Sequence, residues 1–198
     1  MAEENKSGLI NEINLLCTQL NINKHSVNFE NPSNFLSKAE NNLSKHLKNQ
    51  QLNLIRTNKK LKFYSIFKNE TNYSEFINHI RNPEHRRVAS KFRIGNHNWK
   101  IETERFTIRK TPGDLRICDH CNQNSNENEL HILFHCDQYN DLRKTLFIKI
   151  NDRNTLFTNY NIHDKVCFLF KNTDSHISRL AANYNFIFQA FERRKKHS

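Results

Sequence analysis

The sequence predicts a mainly α-helical protein with a segment rich in cysteine and histidine inserted among the helices. Only 3 Gly and 3 Pro occur in 198 residues, so little interrupts the long runs of helix-forming sequence. Along these runs, apolar side chains recur every three or four residues, which is the spacing of one helix face. Residues 118–136 hold three of the five cysteines and three of the eleven histidines. That density indicates a metal-binding insertion.

Two helices are predicted within residues 1–60, separated by a polar loop. The first covers residues 9–20, and the second begins near "NPSNFL" and ends before "RTNKK". Each has an apolar stripe at helical spacing. The stripes are Leu9, Ile13, Leu16 and Leu20 in the first helix, and Phe35, Ala39, Leu43 and Leu47 in the second.

Residues 61–116 are predicted to form a basic, largely helical segment. Short helices are expected over residues 61–67 and 73–81, followed by a helix that begins at Pro83 and ends at Gly95. The stretch "WKIETERFTI" alternates polar and apolar residues, which predicts a short strand pair near residues 99–108. The "TPGD" that follows has the composition of a turn.

Residues 143–198 are predicted to be helical and to end in the basic tail "ERRKKHS". One helix should cover residues 139–150 and overlap the end of the inserted segment, which we place at residues 117–142. The last helix has the clearest apolar stripe of the chain. Its members are Ile177, Leu180, Ala181, Tyr184, Ile187, Phe188 and Phe191.

The inserted segment has the ligand spacing of a closed zinc site. Cys118 and Cys121 form a C-x2-C pair, which can direct two thiolates at one ion, and Cys136 supplies a third. His131 is favoured as the fourth ligand, giving C-x2-C-x9-H-x4-C. The competing histidines are His120 and His135. His120 would have to fold against the turn of the paired thiols, and His135 would project away from Cys136.

Asn126 and Glu129 form a capping-box pattern that predicts a short helix carrying His131 and delivering Cys136. Four protein ligands leave no open position, so the single zinc is predicted to be structural rather than catalytic. The alternative is that these are scattered thiols in a helical protein.

Charge is distributed unevenly between the predicted finger and the segment before it. The whole chain has a net charge of +11, which favours a polyanionic partner. Residues 117–142 contain five acidic residues and no Lys or Arg, whereas residues 81–116 contain ten basic and four acidic residues. RNA or DNA, in single-stranded or template form, is therefore expected to bind the upstream segment, where Trp99 and Phe106 could stack on bases.

The predicted nucleic-acid contacts are Arg86, Arg87, Lys91, Arg93, Trp99, Arg105, Arg109 and Arg116. The alternative is a solvated basic face whose aromatic residues belong to the core.

The sequence also indicates a location inside the cell. No stretch approaches the ~20 apolar residues of a membrane span. The first residues, "MAEENKSG", are too polar and acidic for a secretory signal. Clustered cysteines in a reducing compartment more often hold metal than form disulfides. We therefore expect a nuclear or cytoplasmic protein that is neither secreted nor bound to a membrane.

The order of these residues resembles the carboxy-terminal zinc-binding region of non-LTR (LINE-type) retrotransposon reverse transcriptases. That family's pattern has K-x-R-x-x-x-H, then I-E-x-x-R-F/Y, R-x-C-x2-C, E-x-H-x-L-x-x-C and Y-x-x-x-R. The matching residues are Lys91, Arg93, His97, Ile101, Glu102, Arg105, Phe106, Arg116, Cys118, Cys121, Glu129, His131, Leu133, Cys136, Tyr139 and Arg143.

The resemblance implies a zinc-binding region downstream of a polymerase that helps to hold template RNA or target DNA. It does not imply catalysis by this chain, because no pair of adjacent aspartates is present to hold the metal ions of a polymerase. The chain would then be a remnant of such an element or a host protein built from one.

Three functions compete at this stage. A zinc-stabilised nucleic-acid-binding module without enzymatic activity is favoured. The alternative is a protein-interaction or scaffold module, supported by the acidic finger and by the apolar helices over residues 9–20 and 177–191. A metal-dependent hydrolase is supported only by abundant His and Asp, without a constellation of paired carboxylates.

Overall fold

A computed structural model describes residues 11, 14–22, 32–71, 76–106, 111–152, 154–171 and 177–196. Within these residues the chain is mainly helical and contains no β-strand, which confirms the predicted fold class. Residues 14–19 are helical, and the further helices are α1 (Pro32–Thr57), α2 (Tyr64–Phe67), α3 (Phe76–His79), α4 (Pro83–Arg93), α5 (Lys100–Thr103), α6 (Glu129–Phe134), α7 (Asn140–Asn151), α8 (Ile162–Phe170) and α9 (Ile177–Lys196). In the described ranges, none of the helices has the length and apolarity that crossing a membrane requires.

The chain divides into two compact units, Met1–Leu54 and Ile55–Ser198. In the first unit, α1 is a long helix whose leucines stay largely in solvent. The exposed leucines of α1 are Leu36, Leu43, Leu47 and Leu54. From the predicted stripes, Leu9, Ile13 and the side chain of Phe35 lie outside the described residues.

In the second unit, α9 is the central element. It packs against α7 and α4, and also contacts α3 and α8, while α2 packs against α8. Most of the predicted stripe of α9 is buried, including Leu180, Tyr184, Ile187 and Phe191, but Ala181 is exposed. The side chain of Ile177 lies outside the described residues.

Aromatic rings fill the core of this unit. The Phe92 ring is fully buried and lies 5.3 Å from Phe63 and 5.4 Å from Trp99, both edge to face. Such pairs are stabilising beyond the area that they bury. Ile132, Leu133 and Cys136 of the finger belong to the same buried cluster as these rings. The finger is therefore part of the core of the unit.

Residues near 99–108 form no described strand pair, contrary to the prediction. Residues 100–103 form the helical turn α5, and the N–H groups of Glu102 and Thr103 both donate to the Trp99 carbonyl. The buried positions are Trp99 and Glu102, three residues apart, which is helical spacing. The strand prediction failed because Glu102, a charged residue, is buried here. The alternation of apolar residues in the sequence therefore did not mark the buried positions. Residues 107–110 lie outside the described residues.

Helix α4 confirms the predicted start and end. Asn82 caps it by accepting from the Glu84 N–H, Pro83 occupies the first turn, and Gly95 follows with φ +63°. Helix α8 was not predicted from the sequence. The sequence does contain a signal for the start of α8, namely an Asn at the capping position. The Asn161 side chain accepts a hydrogen bond from the Asp164 N–H.

Candidate metal centre

Four side chains converge on one point in the second unit. The ligand atoms of Cys118, Cys121, His131 and Cys136 all lie within 4.8 Å of one another. The Cys118 and Cys136 sulfurs are 3.8 Å apart, and the Cys121 sulfur lies 3.3 Å from His131 Nε2. Tetrahedral bonds of about 2.3 Å to sulfur place two sulfurs about 3.8 Å apart. The group can therefore hold one metal ion.

A short loop presents the first two thiols. The chain enters and leaves it through an isolated bridge between Ile117 and Asn126, supported by the Cys118 N–H donating to the Ser125 carbonyl at 2.9 Å. Asn124 takes a left-handed conformation with φ 49°, which Asn tolerates better than most residues. The loop thus folds back so that Cys118 and Cys121 face the same point.

Helix α6 presents the other two ligands. The side chain of Asn128 caps the helix by accepting from the His131 N–H at 2.9 Å. The predicted cap at Asn126 is therefore wrong by two residues, because Asn126 is occupied in the bridge to Ile117. Cys136 follows the end of α6, where its N–H donates to the His131 carbonyl at 2.7 Å.

Backbone amides support the sulfur atoms. The His120 N–H donates to the Cys118 sulfur at 3.4 Å. Burial raises the pKa of Cys121, and the hydrogen bond to Cys118 raises the pKa of Cys136; backbone hydrogen bonds from Gln123 and Gln138 only partly oppose these shifts. N–H donors of this kind stabilise thiolates, which are the form that binds metal. The surroundings therefore stabilise the thiolate form of Cys118.

The thiols of Cys118 and Cys136 share one hydrogen bond. That bond lowers the pKa of Cys118 and raises the pKa of Cys136, and burial raises the pKa of Cys121. A cation at the centre would take the place of the shared protons, because metal ligation requires deprotonated thiols.

The structure separates the three candidate histidines. His131 is buried with Nε2 directed at the cluster, whereas His135 is exposed. His120 lies with its Nε2 4.0 Å from a carboxylate oxygen of Glu127. His131 is therefore the residue that the geometry selects, in agreement with the spacing argument.

Arg143 of α7 fastens the end of α6 to the body of the unit. Its buried guanidinium donates to the carbonyls of Leu133, Ile132 and Cys136 at distances of 2.7–3.3 Å. The last carbonyl groups of a helix have no hydrogen-bond partner within that helix. A buried guanidinium that donates to them is therefore stabilising. Arg143 thereby fixes the backbone that carries Cys136.

Buried polar pairs join the finger to the segment before it. His97 Nε2 lies 3.0 Å from the Glu129 carboxylate, and the indole N–H of Trp99 donates to the Tyr139 hydroxyl at 3.3 Å. Arg116 donates to the Ile101 carbonyl. All of these residues except Trp99 belong to the pattern that carries the retrotransposon resemblance. In this chain they hold the metal-binding loop against the helices.

The acidic residues of the finger are largely engaged by neighbouring cations. The pairs are Lys100–Asp119, Arg193–Asp141 and Arg194–Glu127. Two arginines of the basic tail, Arg193 and Arg194, thus form ion pairs with the finger. Glu127 is fully buried, and burial raises the pKa of its carboxyl to about 7 despite the Lys100 N–H and the nearby Arg194. Sequence reasoning missed these pairs because their partners lie up to 67 residues apart.

No family model matches the chain. Neither a curated protein nor a solved structure is significantly similar to it. The resemblance to retrotransposon reverse transcriptases therefore stays a prediction from the residues.

Three of the predicted nucleic-acid contacts are buried. Trp99 is 1% exposed, Arg93 3% and Arg116 9%, so the prediction of phosphate or base contacts is wrong for these side chains. The Arg93 guanidinium lies over the rings of Phe67 and Phe76, at 4.5 and 4.3 Å from their centroids. A cation in that position is stabilised by the ring faces and stabilises the core.

The remaining predicted contacts are more accessible. Arg86 is half-buried on α4, Lys91 is also half-buried, and Arg87 is exposed in an ion pair with Glu84. Arg105 is partly exposed. Arg109 lies outside the described residues.

Proposed function

We propose that this chain is a nucleic-acid-binding module whose fold is stabilised by one structural zinc ion. Its thiolates and imidazole are soft and borderline donors, which suit zinc better than they suit magnesium or calcium. All four tetrahedral positions would be filled by protein side chains. A closed set of this kind stabilises the fold and leaves no position for a substrate.

The observation that carries the nucleic-acid proposal is the excess of positive charge outside the internal ion pairs. Three of the five acids of the finger are already engaged by Lys100, Arg193 and Arg194. Among the described residues, Arg86 and Lys91 of α4 form no ion pair, and the chain as a whole carries +11. Such surplus cations attract a polyanion by neutralising phosphates and releasing counterions.

A scaffold function is the second candidate, and α1 is the observation that favours it. Four leucines of this helix are between 44% and 67% exposed along its length. Exposed apolar residues at helical spacing are typical of helices that bind a partner in a groove or a coiled coil.

Salt-dependent binding distinguishes the two candidates. Fluorescence anisotropy with labelled single-stranded RNA, single-stranded DNA and duplex DNA would be measured from low to moderate salt. The nucleic-acid module should lose affinity linearly on a log–log scale. Reversing Arg86 and Arg87 to Glu should weaken binding and reduce the slope by about 0.7 to 0.9 for each lost phosphate contact.

The matched control reverses Lys144 and Lys149, two exposed lysines of α7, to Glu. An equal loss in both double variants would show a non-specific charge effect rather than a binding surface on α4. No binding by the unmodified chain at low salt would overturn the nucleic-acid proposal and favour the scaffold.

A further inference from the structure

A turn about forty residues upstream meets the segment that leads into the finger. The Lys60 ammonium lies 4.0 Å from the Glu102 carboxylate, to which Arg105 also donates. The backbones of the two segments also approach each other closely. A Cβ atom added at Gly95 would lie 2.8 Å from the carbonyl oxygen of Lys60. The two segments therefore form one surface, although they are far apart in sequence.

This surface is rich in positive charge. Lys59 and Lys62 flank Lys60 in the same turn and are exposed, and among the described residues neither forms an ion pair. Of the four cations of this surface, Lys60 and Arg105 pair with the buried carboxylate of Glu102, and Lys59 and Lys62 do not. The surplus therefore faces solvent.

An exposed aromatic ring directly follows Arg105 in the chain. Phe106 directly follows Arg105 and is 75% exposed, the largest exposure among the large apolar side chains that the structure describes. Its N–H donates to the Thr103 carbonyl, so its backbone is fixed by the turn after α5. An exposed ring that follows a cation in a basic segment can stack on unpaired bases.

The geometry points to a single-strand-binding surface formed by Lys59, Lys60, Lys62, Arg105 and Phe106, which we call the Lys60–Phe106 surface. Its lysines and Arg105 contact phosphates, and Phe106 stacks on an unpaired base. The inference rests on the proposed nucleic-acid function and specifies both the site and the strand state. It also moves the stacking role from Trp99, which is buried, to Phe106.

The Phe106 ring is the reason for inferring that the surface binds single strands rather than a duplex. Bases in a duplex already stack on their neighbours, so a ring on the protein surface gains little from them. Bases of a single strand offer free faces, and stacking on them tolerates any sequence. A duplex would use the lysines alone.

The test compares Phe106→Ala, Phe106→Trp and Lys59→Ala/Lys62→Ala in the full chain, with labelled single-stranded and duplex oligonucleotides. Phe106→Ala should weaken single-strand binding about tenfold or more, with little change in salt slope. Phe106→Trp should restore it. The double lysine variant should instead lower the salt slope by about 0.7 for each lysine. The control is Leu156→Ala, which removes a comparably exposed apolar side chain, 59% exposed, and should leave binding unchanged.

The outcomes separate this inference from the proposed function. If the unmodified chain binds but Phe106→Ala has no effect, or weakens duplex and single-strand binding equally, the surface is wrong while the nucleic-acid function stands. If the unmodified chain binds neither, both are wrong. All these substitutions are at the protein surface, so circular dichroism should show unchanged folding.

Discussion

The indole N–H of Trp99 donates to the hydroxyl of Tyr139 at 3.3 Å, and both rings are almost completely buried. Tyr139 lies three residues after Cys136, and Trp99 precedes α5. The pair therefore connects the segment that carries Cys136 to the basic segment. It also links the only tryptophan of the chain to the candidate metal centre through Tyr139.

Removing the metal should change the fluorescence of Trp99. Without the ion, the Cys136 side chain loses its bond to the metal and Arg143 is left to hold the backbone there, so Tyr139 should move more freely and expose the indole to water. We expect a shift of tryptophan emission to longer wavelength on chelation, together with a partial loss of helicity. Unchanged emission after metal loss would contradict this coupling, and complete loss of helicity would show that metal binding and global folding are one event.

The four ligands can be tested by substitution. Cys118→Ser and His131→Ala should each lose most of the bound zinc, because three ligands bind it far more weakly than four. His135→Ala is the matched control, since that side chain is exposed and four residues from His131. Metal analysis of the purified variants checks this. Full zinc in both ligand variants, or loss only in the control, would overturn the assignment.

Gly95 should tolerate no side chain, in contrast to Gly113. Gly95 has φ +63°, and a Cβ there would lie 2.8 Å from the Lys60 carbonyl, a backbone atom that cannot move alone. Gly113 has nothing within 4 Å of the same position. We expect Gly95→Ala to lower the free energy of unfolding by about 2 kcal/mol or more and Gly113→Ala to change it by less than about 0.5 kcal/mol. Urea unfolding measures both, and equal effects would contradict the close approach.

The ion pair between Asp141 and Arg193 should contribute stability only above acidic pH. Arg193 lowers the pKa of the Asp141 carboxyl to about 2 from its usual 3.8. The contribution is present above pH 3.8 and is lost as the pH falls toward 2. Because Asp141 is largely exposed, Asp141→Asn should lower the free energy of unfolding by less than about 1 kcal/mol at pH 7.

Urea unfolding of both proteins from pH 7 to pH 2 checks the Asp141 prediction. The difference between them should shrink below pH 3.8. Metal loss at low pH affects both proteins, so the difference rather than the fall itself reports on the pair. A difference that grows toward pH 2 would contradict the assigned pKa shift.

The sequence predicted what depends on local pattern. The start of α4 at Pro83, its end at Gly95 and the convergence of His131 with three cysteines all follow from short-range spacing. The apolar stripe of α9 was predicted for the same reason, because a helix that covers a core must turn one face inward.

The remaining features depend on distant partners. Arg93 looks like a phosphate contact in sequence, yet its guanidinium donates to the Phe170 carbonyl and the Tyr184 hydroxyl, 77 and 91 residues away. Glu102 turns inward because Arg105 and Lys60 neutralise it. Local sequence cannot show such distant partners. A prediction based on charge alone therefore placed on the surface side chains that are in fact buried.

The position of α9 in the chain has a consequence for the order of folding during synthesis. The four metal ligands lie within nineteen residues, so closing their loop needs only a short stretch of emerging chain. The core also needs α9, which packs against α4 and α7 and follows both of them in the chain. During synthesis on the ribosome, the loop that carries the four ligands can therefore close before α9 has emerged. The helices before the loop complete their core only when α9 packs against them.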